Sequence, residues 1–207
     1  MDQEFQPSQD EIVKKASSVS EVGKSILVYL HDLSYLIAGM MLVFLLVFRV
    51  VVVSGPSMNN TLINGDYLLL ISSSFYLEPQ CGDIVVAAKE SFQNGVPIVK
   101  RVIATEGQTV ELIDGFVYID GNKMEEDYAL GLSYPKAGTA FPLTVPQGCI
   151  FVMGDNRIVS MDSRDPKIGL LDKREILGKA VFLFLPGADE HSKKRDFSRI
   201  GVMGDAG

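Results

Sequence analysis

Ser57 is the first residue whose type and surroundings could support catalysis. It lies in the segment Ser54–Met58, which reads SGPSM, so glycine and proline constrain the backbone just ahead of the hydroxyl. A serine held on such a backbone is suited to act as a fixed nucleophile in acyl transfer. The same pattern is typical of an ordinary turn, and this segment alone leaves both interpretations open.

Lys100 could supply the base that such a serine requires. It lies in the segment Val96–Ile103, whose apolar residues on both faces predict a strand buried on both sides. A free lysine has a pKa of about 10.4 and is almost wholly charged near neutral pH. Burial disfavours the ammonium, so a buried lysine can accept the proton of a serine hydroxyl. A lysine at a strand edge, or one paired with a carboxylate, is the alternative.

A polar segment further along the chain could support these two residues. Gly154–Arg164 reads GDNRIVSMDSR and directly follows a predicted strand. Ser160 could hydrogen-bond to the lysine nitrogen and orient it, and Asp162 and Arg164 could form an ion pair that rigidifies the loop. The alternative interpretation is an ordinary polar loop whose polar groups hydrogen-bond to one another.

Several other chemistries are excluded by what the sequence lacks. It contains no HExxH or CxxC pair for zinc, no GxxxxGK[ST] phosphate loop and no GxSxG nucleophile elbow. Its histidines are His31, ahead of the apolar segment, and His191, in a weakly patterned tail, so a histidine base is not expected. The formal net charge of −7 argues against nucleic-acid binding. We expect no metal, no cofactor, and two separate buried thiols at Cys81 and Cys149.

The amino-terminal part of the chain predicts a membrane anchor. Residues 1–32 are mostly polar, whereas the run from Leu33 to Val53 is apolar except for Arg49. A helix of that length would span about 31 Å, close to a hydrocarbon thickness of about 30 Å, with Arg49 near one end reaching the headgroups. A buried core helix and a cleavable signal are alternatives. The apolar run begins only at Leu33, and the segment before it is acidic rather than basic. Both features favour an uncleaved anchor over a cleavable signal.

The rest of the chain predicts a mainly β fold. Short runs rich in Val, Ile, Leu, Phe and Tyr alternate with turn residues, and Asp114-Gly115 is typical of a hairpin. The predicted strands are Tyr67–Ile71, Ile84–Ala87, Ile98–Ala104, Thr109–Leu112, Phe116–Ile119, Ile150–Met153 and Ala180–Leu185. We therefore expect a cytoplasmic segment at 1–32, a transmembrane anchor at 33–53, and a compact β-sheet or barrel-like protease domain at 54–207 outside the cytoplasm.

Together these segments resemble the type I signal peptidases, the membrane-bound Ser-Lys proteases of bacteria, from the anchor to about Gly201. Ser54–Asp66 (SGPSMNNTLINGD) is similar to the family's nucleophile box, and Ile98–Gly107 (IVKRVIATEG) is similar to its lysine box. Cys81–Val86 and Gly154–Arg164 are similar to its other two boxes. A match to one box alone is weak evidence for the family, whereas matches to four boxes in the family's order, behind a membrane span, are strong evidence for it.

The resemblance implies a role for each candidate residue. Ser57 would be the nucleophile, with its backbone N–H helping to bind the oxyanion, and Lys100 would be the base. Ser160 would position Lys100, while Asp162 and Arg164 would brace the site. Shallow apolar pockets for the Ala-x-Ala sites that the family prefers would be lined by Val51, Val53, Leu62 and Val99.

Three positions depart from the family's pattern without removing a catalytic group. Asn60 stands where the family usually has proline, and Gln108 stands where the lysine box often ends in aspartate. Gly55 occupies a position where some members have a serine that donates to the oxyanion.

The resemblance implies a single-pass protein of the plasma membrane, embedded in the lipid bilayer, that removes signal peptides from secretory preproteins. Two other classes share some of these features: a Ser-Lys autoprotease of the repressor type, and an inactive membrane-anchored β domain that binds peptides. The membrane span argues against the first class, and the intact Ser57 and Lys100 argue against the second.

Overall fold

The computed structural model describes residues 9–76, 78–189 and 192–203, so His191 lies outside the described residues. The chain divides into two compact units, Met1–Leu46 and Val47–Gly207. Its helix and strands are α1 (Gln9–Val47), β1 (Phe48–Val52), β2 (Tyr67–Ser72), β3 (Ile84–Ala87), β4 (Ile98–Thr105), β5 (Thr109–Ile113), β6 (Phe116–Ile119), β7 (Asn122–Lys123), β8 (Leu143–Thr144), β9 (Cys149–Met153), β10 (Leu171–Asp172), β11 (Ile176–Leu185) and β12 (Gly201–Val202).

Helix α1 forms the first unit and is apolar along its carboxyl-terminal half. The stretch Ile26–Val47 has 22 residues and a mean hydropathy of 1.9, and none of it is buried against the rest of the protein. It is long and apolar enough to cross a membrane. At 1.5 Å per residue it measures about 33 Å, slightly more than a hydrocarbon core of about 30 Å. This helix is therefore compatible with a membrane anchor.

The end of the helix differs from the sequence-based expectation. The apolar run was expected to remain helical to Val53, but α1 ends at Val47 and Phe48–Val52 form strand β1. This strand pairs with β2 along its whole length, from Phe48 opposite Ile71 to Val52 opposite Tyr67. Four consecutive valines pack well on a pleated surface and poorly specify a helix, and hydropathy alone does not distinguish the two states. Arg49 consequently belongs to a strand of the second unit rather than to the end of a membrane span.

The larger sheet of the second unit carries Lys100 in β4, and the connections that follow β1 and β9 carry Ser57 and the 154–164 loop. Its strands lie in the order β1-β2-β11-β3-β4-β9-β10, with β12 also paired to β11, and the paired strands are antiparallel. The register shifts between Val102 and Ala104 of β4, and again within β11. Such bulges increase local twist and curl the sheet. The fold is mainly β, as expected.

A smaller antiparallel sheet, in the order β7-β6-β5-β8, shares a hydrophobic cluster with β4 and β9 of the larger sheet. The turn at Asp114-Gly115 connects β5 to β6, as predicted, and Asp120-Gly121 connects β6 to β7 in the same way. Both residues of each turn have positive φ, the geometry that two-residue hairpins require and that Asp-Gly supplies. The seven predicted strands are all present, whereas the two-residue strands and β1 were missed.

The two cysteines are free thiols, in agreement with the expectation that they are separate. Their burial was predicted wrongly, because Cys81 is exposed and Cys149 is only partly buried. The Cys81 thiol donates to the Ile103 carbonyl at 2.7 Å. Although the residue as a whole is exposed, its sulfur is partly desolvated, and this desolvation, together with the nearby charge of Glu126, raises the pKa of the Cys81 thiol. The reactive thiolate is therefore disfavoured there.

Candidate active site

The structure brings Ser57 and Lys100 into direct contact. Lys100 lies in the middle of β4, and its Nζ lies 2.8 Å from Ser57 Oγ and 2.9 Å from the Val99 carbonyl oxygen. Ser57 lies on the turn between β1 and β2, 43 residues earlier in the chain. The contact is within hydrogen-bonding range, the geometry that proton transfer between a nucleophile and its base requires.

The surroundings of Lys100 favour the neutral amine. Its side chain is buried, with 4% of the residue exposed, and this burial lowers its pKa from about 10.5 to about 8. Asp162 and Asp155 raise the pKa, whereas the charge of Lys136 lowers it further. At pH 7 this change increases the neutral fraction from about one in 3,000 to about one in ten. The amine is therefore a usable base near neutral pH.

The turn that carries Ser57 is closed by its own backbone. The Leu62 N–H donates to the Met58 carbonyl at 2.8 Å, which completes one helical turn directly after Ser57. Gly55 has φ +90° and Asn60 has φ +62°. Asparagine tolerates this left-handed conformation better than most residues, whereas proline, which the resemblance implies at position 60, is restricted to φ near −65°.

Gly154 lies where the 154–164 loop contacts the Ser57 turn. The Asn156 N–H donates to the Ser57 carbonyl at 3.0 Å, and its side-chain amide donates to the Pro56 carbonyl at 3.2 Å. A Cβ on Gly154 would lie 2.2 Å from Ser160 Oγ and 2.4 Å from the Ser57 carbonyl oxygen. Only glycine allows the loop and the turn to approach this closely.

Asp162 and Arg164 form the ion pair that the sequence suggested. Arg164 donates from Nε and Nη2 to the two Asp162 oxygens, at 2.9 and 2.8 Å, and both side chains are almost fully buried. Burial alone raises the pKa of Asp162, but the Arg164 guanidinium and the Gly154 N–H offset this effect and lower the pKa below its ordinary value. The pair stays charged and holds the loop, because Arg164 also donates to the Arg157 carbonyl at 3.0 Å.

Ser160 is fully buried in the same loop, but it does not make the expected hydrogen bond to Lys100. Its Oγ has no partner of strict hydrogen-bond geometry among the described residues, but it interacts with the Asp162 carboxylate and helps to lower the pKa of that group. The Ser160 hydroxyl is therefore associated with Asp162 rather than with Lys100.

A second buried ion pair was not predicted. Arg101, the neighbour of Lys100, donates from Nε and Nη2 to Asp155 at 2.9 and 2.7 Å, and from Nη1 to the Gly82 carbonyl at 2.9 Å. The signal was present in the sequence, since an arginine inside an apolar strand requires a buried partner. The pair links β4 to the 154–164 loop and so fixes Lys100 relative to the Ser57 turn.

A cleft of about 170 Å³ opens beside Ser57 and Lys100. Of the four residues expected to line a substrate pocket, Val51 and Val99 are in its wall. Val53 and Leu62 are instead buried in the hydrophobic cluster against which Val51 and Val99 pack. The other lining residues include Ser54, Val52, Val86, Val96, Pro97 and Ile98.

We expect Gly154→Ala to lower cleavage activity at least tenfold, because the added methyl group must displace either the Ser160 side chain or the Ser57 carbonyl. Overpacking of this kind costs about 1–3 kcal/mol of stability. Cleavage rate and thermal unfolding of the full chain would be compared with those of Gly201→Ala, where no atom lies within 4 Å of the added Cβ. Equal activity of the two variants would contradict this tight contact.

The chain matches the family model described as signal peptidase, peptidase S26, over residues 26–185. Signal peptidase I of Bacillus amyloliquefaciens is 35% identical over 203 residues, covering 94% of this chain and 100% of that protein. Signal peptidase I T of Bacillus subtilis is 36% identical over 181 residues, covering 84% and 89%. A solved structure of an Enterococcus faecalis signal peptidase I is 33% identical and covers 49% of this chain and 96% of that one, with a TM-score of 0.42.

Family membership follows from the family model and the two Bacillus relatives. The family-model match includes both the apolar stretch of the helix and the segments around Ser57, Lys100 and Asp162, and the relatives cover 94% and 84% of this chain. The chain belongs to the signal peptidase family, peptidase S26, and is a serine protease of the signal peptidase I type, the enzymes that remove signal peptides.

Proposed function

We propose that this chain cleaves signal peptides from translocated preproteins after Ala-x-Ala sites, with Ser57 as nucleophile and Lys100 as general base. The observation that carries the proposal is the 2.8 Å separation of Ser57 Oγ from a buried amine. A structural lysine would instead be expected to place its charge in solvent or against a carboxylate.

The reaction proceeds by acyl transfer. Neutral Lys100 takes the proton from Ser57 Oγ as the oxygen attacks the scissile carbonyl carbon, and the Ser57 N–H donates to the resulting oxyanion. Collapse of the intermediate breaks the C–N bond, and the departing amine takes its proton from Lys100. Neutral Lys100 then takes a proton from a water molecule as the water oxygen attacks the acyl carbon. The bond between the acyl carbon and Ser57 Oγ breaks, the signal peptide leaves with a new carboxyl terminus, and Lys100 gives its proton to Ser57 Oγ, which restores both groups.

Three further residues keep this pair in position. Asp162 and Arg164 brace the loop that contacts the Ser57 turn. Ser160, whose buried hydroxyl lies beside Asp162, is the group we assign to hydrogen-bond to Lys100 when the lysine becomes protonated.

We also propose that α1 anchors the protease in the plasma membrane through Ile26–Val47, with the segment before it in the cytoplasm and the β domain, from Phe48, on the extracytoplasmic side. The anchor begins and ends earlier than the 33–53 boundaries expected from the sequence. Anchoring confines the enzyme to the surface where preproteins emerge, which raises their effective concentration without any additional contact.

The specificity proposal rests on the small size of the cleft. With Val51 and Val99 in the wall of a volume of about 170 Å³, each subsite has room for a short side chain. Alanine at the first and third positions before the cut meets this requirement, whereas the side chain between them is unrestricted in an extended peptide, because alternate side chains point away from the cleft.

We expect the full chain in detergent to cleave a preprotein with an Ala-x-Ala site after the last alanine, as mapped by mass spectrometry. Leucine at either alanine should reduce kcat/KM at least tenfold, because burying a side chain too large for its pocket costs about 1–3 kcal/mol. The same change at the middle residue is the matched control. Val99→Ala, which widens the cleft, should partly restore cleavage of the leucine substrates. Equal cleavage of all of these preproteins would contradict the proposed specificity.

A further inference from the structure

Thr61 connects the turn that carries Ser57 to the buried ion pair beside Lys100. Its Oγ1 donates to Asp155 Oδ2 at 2.5 Å. The same carboxylate accepts from Arg101, at 2.9 Å from Nε and 2.7 Å from Nη2. Thr61 lies in the same turn as Ser57, and Arg101 directly follows Lys100 in β4. One carboxylate therefore binds both a residue of the nucleophile's turn and a residue of the base's strand.

The carboxylate of Asp155 is a well-fixed acceptor for this hydroxyl. Asp155 and Arg101 are both almost fully buried, and hydrogen bonds to an ionised group are stronger there than in water. The Arg101 guanidinium lies 3.9 Å from the centre of the Tyr128 ring, and the Leu130 N–H donates to the Asp155 carbonyl at 2.7 Å. The ion pair is thus held on both sides, so any movement of the turn relative to β4 must strain the Thr61 bond.

Contacts on the outer side of the 154–164 loop fix it to the connection between β7 and β8. Arg157 pairs with Glu126 at 2.5 Å, and Lys136 Nζ donates to the Ser160 carbonyl at 2.5 Å. These contacts do not set the distance between the nucleophile's turn and β4, because neither the turn nor β4 takes part in them. The threonine hydroxyl acts on that distance directly, since it bonds to the carboxylate that β4 also holds.

We propose that Thr61 is a positioning residue, whose hydroxyl holds the Ser57 turn against β4 through Asp155. This bond keeps Ser57 Oγ at 2.8 Å from Lys100 Nζ. The inference rests on the proposed roles of Ser57 and Lys100 as nucleophile and base. Proton transfer requires the two groups to be within hydrogen-bonding reach, and a misplacement of about 1 Å can lower the rate about 100-fold.

Binding of the preprotein should depend little on this bond. Val51 and Val99 line the cleft from β1 and β4, and these strands are held by their pairing with β2 and β3. Thr61 takes no part in that pairing and does not line the cleft. Loss of its hydroxyl should therefore lower kcat and kcat/KM together and leave KM unchanged, the pattern expected when an interaction serves only the chemical step.

Two substitutions separate the hydroxyl of Thr61 from its shape. Thr61→Val removes the hydroxyl and keeps the branched side chain, whereas Thr61→Ser keeps the hydroxyl. With the full chain in detergent and an Ala-x-Ala preprotein, we expect Thr61→Val to lower kcat at least about tenfold and to change KM by less than about twofold. Thr61→Ser should restore most of the parental kcat. Thr109→Val, which removes a hydroxyl that bonds to Thr144 in the smaller sheet, is the matched control and should keep the parental kcat.

A parental kcat in folded Thr61→Val would overturn the inference. An equal loss in Thr61→Ser would overturn it as well, because the effect would then follow side-chain volume, and so would a loss that appears only in KM, because the cleft rather than the dyad would then be disturbed. Thermal unfolding identifies a variant that fails to fold, and Thr61→Ala, which also lacks the hydroxyl, then takes the place of Thr61→Val. A parent that cleaves no preprotein would instead overturn the proposed function itself, so the two failures are distinguishable.

Discussion

Ser57→Ala is expected to abolish preprotein cleavage while leaving the protein folded. Loss of the nucleophile in a serine protease lowers kcat by at least about 10⁴-fold, and no other hydroxyl is assigned to the position 2.8 Å from Lys100 Nζ. Stability should change little, because Ser57 is partly exposed and its backbone hydrogen bond with Asn156 does not use the hydroxyl. The measurement is the appearance of mature product from an Ala-x-Ala preprotein, with thermal unfolding measured on the same sample.

Ser74→Ala provides the control for this substitution. Ser74 is exposed in the turn after β2, outside the cleft beside Lys100, so its loss should leave the cleavage rate unchanged. Continued cleavage by Ser57→Ala at more than about 1% of the parental rate would mean that another group attacks the carbonyl, and the acyl-transfer mechanism would be wrong.

Lys100→Met should abolish cleavage as completely, but through the missing base rather than the missing nucleophile. Methionine has a similar length and no charge to desolvate, so the folded state should be as stable as the parent or more so. Unfolding in denaturant and preprotein cleavage, measured on the same variant, should therefore differ in their response: stability is retained and activity is lost. A raised or unchanged midpoint of unfolding with no mature product is the expected outcome.

Lys89→Met is the matched comparison, since Lys89 also places its amine inside the fold. Its Nζ donates to the carbonyls of Ile168 and Leu170, at 2.7 and 2.8 Å, and it is not assigned to the catalytic site. Removing it leaves those carbonyls without their partner and should cost about 1–3 kcal/mol of stability. Activity should be retained, the reverse of the Lys100→Met result.

Two results would contradict the base assignment. Full activity of Lys100→Met would show that the amine takes no proton in the reaction. A folded but inactive variant with both His31 and His191 replaced by alanine would point to a histidine base, a group that the proposed mechanism does not use. Neither is expected, since Lys100 already lies at hydrogen-bonding distance from Ser57.

The strands that carry the site could be predicted because their signals are local. Ile98–Thr105 and Cys149–Met153 are apolar runs bounded by turn residues, and Asp114-Gly115 identifies a hairpin by its own backbone preference. The end of α1 could not be placed in this way. Its apolar residues continue without interruption into β1, and only pairing with β2, which is a long-range contact, separates helix from strand.

The same distinction applies to the site itself. Ser57 and Lys100 stand out by type and surroundings, although they are 43 residues apart in sequence. Lys136 and Glu126 do not stand out, because a charged residue in a polar connection is ordinary until its partner is known. Ser160 was expected to hydrogen-bond to Lys100, but the direction of its hydroxyl depends on packing against Gly154 that no sequence pattern encodes.

The left-handed backbone at Asn60 limits how this enzyme could be engineered by comparison with its relatives. Replacing unusual residues with the family's commonest one is often stabilising. The resemblance to the family's nucleophile box implies proline at this position, and the proline ring cannot adopt the φ of +62° that the turn after Ser57 uses. Reversion to consensus would therefore require the segment that carries the nucleophile to adopt another path, and position 60 would have to be redesigned together with its neighbours rather than alone.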